Sequence, residues 1–134
     1  MKKKERKTLC RYIRWVANEL ELRDWTIELL RAPAPADSLG YVHITYGRKL
    51  AEIRLSSDFR TRHPEDQRHT IVHELVHCHL ESAHNMIFND LEEFLGKQTD
   101  QVFYNGFKRQ VEYGVDALAS AIAKRLPVID WDNT

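Results

Sequence analysis

Hydrophobic and polar positions along the chain follow two periods, and the switches between them mark the elements. Leu9, Ile13, Val16 and Leu20 recur at helical spacing and predict a first helix over about Thr8 to Leu22. From Asp24 the period becomes two, with Trp25, Ile27 and Leu29 on one face of a strand that ends near Leu30. Pro33 and Pro35, set among alanines, make a loop. Two more alternating runs follow, one with Val42, Ile44 and Tyr46 on a face, the other with Ala51, Ile53 and Leu55. Gly47, Arg48 and Lys49 supply the turn of a β-hairpin between them. Val72, Leu75, Val76 and Leu80 then return to helical spacing. Pro64, Glu65 and Asp66 open that helix, with proline in the first turn and acid at the positive end of the dipole. It extends to about His84, with Asn85 or Asn89 as the interruption. Phe103, Phe107, Val111, Val115, Leu118 and Ile122 carry a long last helix to about Arg125, ended by Leu126 and Pro127. Gly106 and Gly114 inside it each cost about 1 kcal/mol against alanine, unless they let a neighbour approach closely. The order predicts an α+β fold: an N-terminal helix, a small three-stranded, mainly antiparallel sheet, a middle helix and a long C-terminal helix.

The 134 residues suit one domain with a real core, flanked by tails at 1–7 and 128–134. The first, with its lysines and Arg6, reads as a solvated, frayed end. The second mixes Val128, Ile129 and Trp131 with Asp130 and Asp132; packing on the domain or disorder is the expectation, ahead of a latency segment folded over a cleft. Twenty basic and twenty acidic residues cancel, so the charge gives no strong nucleic-acid signal. No run approaches the ~18 apolar residues of a membrane span, and the N-terminus has no apolar signal core. Cys10 and Cys78 are too few for a disulfide framework and fit free thiols in a reducing, cytoplasmic setting. Nothing in the pattern sets an oligomeric state.

One stretch carries distinctive chemistry. His73-Glu74-Leu75-Val76-His77 is an H-E-x-x-H sequence on the middle helix. Residues four apart lie on one helix face about 6 Å from each other, so both imidazoles reach one ion. Neutral imidazole is a good zinc donor, and two of them supply half of a tetrahedral shell. Glu74, displaced around the helix, suits a general base acting on water at the ion. Cys78 falls outside the ligand spacing and reads as packing, and His79 points away from the histidine face.

A catalytic zinc site needs a further protein donor. His84 returns to the histidine face, but about 10 Å further along the axis, out of reach unless the helix breaks first. The glycine-broken H-E-x-x-H-x-x-G-x-x-H pattern fails, because Leu80 and Ala83 occupy its glycine and final histidine positions. Glu112 ranks ahead of His84: it borders the apolar stripe of the last helix and would complete a His₂Glu set. Asp116, four residues on, would take the free N–H of His73 or His77. Tyr104, Tyr113 and His43 are candidate donors to a developing oxyanion, with none assigned. The hairpin Leu39 to Ser56 is the candidate edge for an extended substrate.

His73-Glu74-x-x-His77 followed by Glu112-x-x-x-Asp116 resembles the gluzincin metallopeptidases, whose third ligand is a glutamate in an E-x-x-x-D element on a second helix. The order of elements is similar to minimal single-domain members, and the size to SprT-like domains and small H-E-x-x-H proteins of bacteriophages. The resemblance implies a zincin-like fold and a Zn²⁺ peptidase acting on a peptide or protein. It implies His73, His77 and Glu112 as ligands, Glu74 as base and Asp116 in support. The alternatives are a zinc-stabilised binding or regulatory module without proteolysis, and a SprT-like DNA-associated protease with His84 as third ligand. A purely structural site is closed by four protein ligands and has no use for Glu74.

Overall fold

The basic N-terminal run is helical. Glu5 accepts a hydrogen bond from the Lys2 backbone N–H at 2.8 Å and pairs with Arg60 at 3.0 Å, while Arg6 donates to the Leu29 carbonyl. These contacts start α1 (Lys3–Glu19) ahead of the expected Thr8 and replace the frayed tail. Leu9, Ile13, Val16 and Ala17 bury its inner face. The helix stops short of Leu22 because Glu21 takes φ 60°, closing a Schellman turn in which Leu22 N–H donates to the Ala17 carbonyl at 2.8 Å.

The structure, a computed structural model, describes residues 1–133. Among these the fold is α+β, with three long helices and a three-stranded mixed sheet. After α1 come β1 (Thr26–Leu29), β2 (Gly40–Thr45), β3 (Leu50–Leu55), α2 (Pro64–Asn85), the short α3 (Glu92–Leu95) and α4 (Lys97–Ala123). A 3₁₀ turn at Phe59–Thr61 precedes α2, and a π turn at Met86–Asp90 follows it at the expected interruption. No helix of the described residues is long and apolar enough to cross a membrane.

The hairpin forms in the register its alternation demands, Val42 opposite Ile53 and Ile44 opposite Ala51. Gly47 and Lys49 hold the turn at φ 76° and 49°. The sheet departs from the mainly antiparallel expectation: its order is β1-β3-β2, with β1 parallel to β3. The proline-bearing loop carries the chain past the end of β3, where Ala34 N–H donates to the Leu55 carbonyl at 3.0 Å, so β2 enters on the far side. Central β3 buries Ala51, Ile53 and Leu55 against α1 and α2, and β2 is left as an edge.

Helix α4 meets the core through Val115, Ala119 and Ala123, whereas Phe103 and Leu118 of the expected stripe are half exposed. The buried face of α4 is thus set by one valine and two alanines, not by the larger residues of the stripe. Nothing lies within 4 Å of a Cβ built on Gly106 or Gly114, so neither glycine serves close approach. The C-terminal segment packs on the domain. Ile129 is buried, Trp131 Nε1 donates to Gln67 Oε1 at 3.1 Å, and the Arg60 guanidinium covers the Trp131 ring at 4.4 Å. Gln67 is itself buried and donates to the Phe59 and Arg60 carbonyls, tying the 3₁₀ turn, α2 and this segment together.

Candidate metal centre

Two polar ladders face each other across the seam between α2 and α4. His69, His73, His77 and Glu81 stand at four-residue intervals on α2, and Tyr104, Lys108, Glu112 and Asp116 at the same interval on α4. That spacing puts each set on one helix face. The pairings run in opposite directions along the two helices: His69 meets Asp116, His73 and His77 meet Glu112, and the His84 ring stands 6.3 Å from that of Tyr104.

Glu112 divides its carboxylate between the two imidazoles. Its Oε2 lies 3.2 Å from His73 Nε2 and its Oε1 3.0 Å from His77 Nε2. One donor atom from each of the three residues falls within 4.8 Å of the others, a group able to hold a metal ion. Tetrahedral zinc, with bonds of about 2.0–2.2 Å, sets its donors about 3.4 Å apart. Each imidazole-to-carboxylate distance, one to each Glu112 oxygen, is within a few tenths of an ångström of that figure, and two imidazole nitrogens with one carboxylate are a donor set zinc accepts. Burial holds His77 below its ordinary pKa, aided by the charges of His73, His84 and Lys108 and opposed by Glu112. A ring kept neutral is the form that binds a cation.

Glu74 lines the same cleft from α2 and is buried. Burial, then the neighbouring Glu112 charge, pushes its carboxyl up to about 7, so it exchanges a proton near neutrality. Gly40 at the start of β2 makes the opposite wall. A Cβ there would fall 2.8 Å from Thr70 Cγ2 and 3.1 Å from Glu74 Oε1, so only glycine lets the edge strand come this close. The cleft, about 380 Å³, continues along Tyr41, Val42 and Ile44 of β2 and past Tyr104 and Lys108 of α4.

No family model matches the chain, and neither a curated protein nor a solved structure does.

The residues expected to converge largely do, with specific exceptions. His84 lines the cleft but stands outside the donor group, its ring 6.4 Å from that of His77, because α2 continues unbroken to Asn85. Asp116 lies 3.6 Å from His73 Nδ1, too long for a hydrogen bond, and instead faces His69 Nε2 at 3.0 Å. Of the oxyanion candidates, Tyr104 reaches the cleft, whereas Tyr113 is largely exposed and His43 lies outside the cleft lining. Cys78 is buried, and burial pushes its thiol up to about 12, an inert packing group as expected. The C-terminal segment takes no part in the cleft. His69, Lys108 and Gly40 were not anticipated. The signal for the first two was four-residue spacing, one step before His73 and one step before Glu112.

Proposed function

We propose that this chain is a zinc-dependent peptidase of zincin-like fold, with His73, His77 and Glu112 as metal ligands and Glu74 as general base. The observation that carries the reading is the convergence of two imidazoles and one carboxylate beside a buried glutamate that titrates near neutral pH. Zinc bound there supplies a Lewis acid that polarises a carbonyl and makes water more acidic. Glu74 takes the proton from the attacking water and returns it to the leaving amine. Its burial excludes bulk solvent from that exchange. The unpaired edge of β2 receives an extended peptide by strand addition, which accounts for an edge strand held against the base by Gly40. Tyr104 and Lys108 bring O–H and ammonium donors to the other wall of the cleft.

The test combines metal analysis with cleavage of a peptide library by the wild type, Glu74→Gln and Glu112→Gln. Glu74→Gln is expected to retain zinc while turnover falls by about 10²-fold or more. Glu112→Gln is expected to lose the zinc held between His73 and His77, and turnover with it. Wild-type turnover in Glu74→Gln, or a wild-type protein that neither binds zinc nor cleaves any peptide, refutes the reading.

A further inference from the structure

His73 presents its second ring nitrogen to another donor group. One turn nearer the start of α2, His69 Nε2 stands 3.0 Å from Asp116 Oδ1, and His73 Nδ1 stands 3.6 Å from the same oxygen. Donor atoms of His69, His73 and Asp116 lie within 4.8 Å of one another. This group lines a second cavity of about 240 Å³ with Leu39 and Thr70; Ser38, Gly40, His73 and Glu74 line both this cavity and the first cleft, whereas Glu112 lines only the first. His69 Nε2 is within hydrogen-bond reach of Asp116, whereas His73 Nδ1 at 3.6 Å is too far for one. Both distances bracket the edge of about 3.4 Å that a tetrahedral ion with bonds near 2 Å imposes on its ligands.

We propose that His69, Asp116 and the Nδ1 of His73 form a second site for a divalent transition metal, one helical turn from the first. Two imidazole nitrogens and one carboxylate suit zinc or cobalt, and the adjoining cavity leaves room for water in the remaining positions. With both sites filled, His73 bridges the ions, Nε2 to one and Nδ1 to the other, and its remaining ring proton passes to solvent. The second ion is the weaker of the two, since its carboxylate, on Asp116, is exposed to solvent. The inference shares His73 with the proposed peptidase site but does not depend on hydrolysis.

The experiment titrates the metal-free 134-residue chain with Zn²⁺ by calorimetry and with Co²⁺ by visible absorption. Two ions per wild-type chain are expected, the second bound about tenfold or more less tightly. His69→Ala removes the weaker ion and keeps the tighter, and Glu112→Gln does the reverse. Crystals soaked in zinc show two anomalous peaks about 6 Å apart across the His73 ring, two Zn–N bonds of about 2 Å in line with it. A single ion per wild-type chain, two ions that survive His69→Ala, or one anomalous peak overturns the second site. Active Glu74→Gln would instead remove the peptidase reading and leave this stoichiometry unaffected.

Discussion

Gly40 lies against Glu74 so closely that a methyl group at position 40 would come within 3.1 Å of the Glu74 Cγ and Oε1 atoms. The edge strand and the Glu74 carboxyl are therefore set by one contact. Gly40→Ala forces β2 away from α2, since the new methyl would also fall 2.8 Å from Thr70 Cγ2 on the same helix. The expected cost is about 1–3 kcal/mol of stability and, for the proposed peptidase, a fall in kcat/KM of about tenfold or more, from loss of substrate alignment. Thermal melting and peptide kinetics on Gly40→Ala check both. Wild-type values for each would show that the strand has slack.

Glu74 makes the metal-free protein sensitive to pH. Its carboxyl titrates at about 7 in the fold against 4.5 ordinarily. A raised pKa means that the folded state holds a proton the unfolded chain releases. Its contribution is complete below about 4.5 and lost as pH rises through about 7. Metal-free Glu74→Gln should match the wild type at pH 4 and exceed it at pH 8 by on the order of 3 kcal/mol. Buried His77 pulls the other way, because its lowered pKa favours the neutral ring as pH rises, but it is common to both proteins. Parallel denaturation curves at the two pH values would contradict the assignment.

Gly106 and Gly114 sit inside α4 with open space where a Cβ would be. Gly106→Ala and Gly114→Ala should each stabilise by about 1 kcal/mol, nearly additively because the sites share no partner. Denaturant midpoints of the single and double variants measure this. A lower midpoint in either single variant would reveal a crowding that the structure does not contain.

Removal of the segment after Pro127 takes away buried Ile129 and the Trp131 N–H that satisfies Gln67 Oε1. The loss of apolar burial and of one hydrogen bond to a buried side chain predicts destabilisation on the order of 3 kcal/mol. Turnover of the truncated chain at a temperature where it remains folded should not rise. Increased turnover would restore the idea that this segment restrains the cleft.

Most elements were readable because each buries one face. The hairpin register follows from Val42, Ile44, Ala51 and Ile53, which reach the core only in that pairing. The pairing of β1 was not readable, since alternation gives a strand a face but no direction, and the loop that reverses it is held by backbone hydrogen bonds. The start of α1 was hidden for a related reason. A run of lysines reads as solvated, and only Arg60, far along the chain, shows why Glu5 is ordered. At the site, the local pair His73 and His77 was plain from spacing. Glu112 needed a second helix to supply it, and the antiparallel match of the two ladders emerges only when α2 and α4 are seen together. Asp116 was expected to accept the N–H of His73 or His77, yet its hydrogen bond goes to His69, one turn before the motif.

The seam between α2 and α4 has a mechanical consequence. The first half of α4 leaves Val102 and Phe103 in solvent, and its apolar grip on the domain begins only near Val111. An ion held by His73, His77 and Glu112 would act as a rivet through the two rods, closing the long excursion of chain that runs between them. Metal occupancy would then govern the shape of the C-terminal third as well as its reactivity, and a chelated molecule would loosen first at the Phe88, Phe94 and Phe103 end.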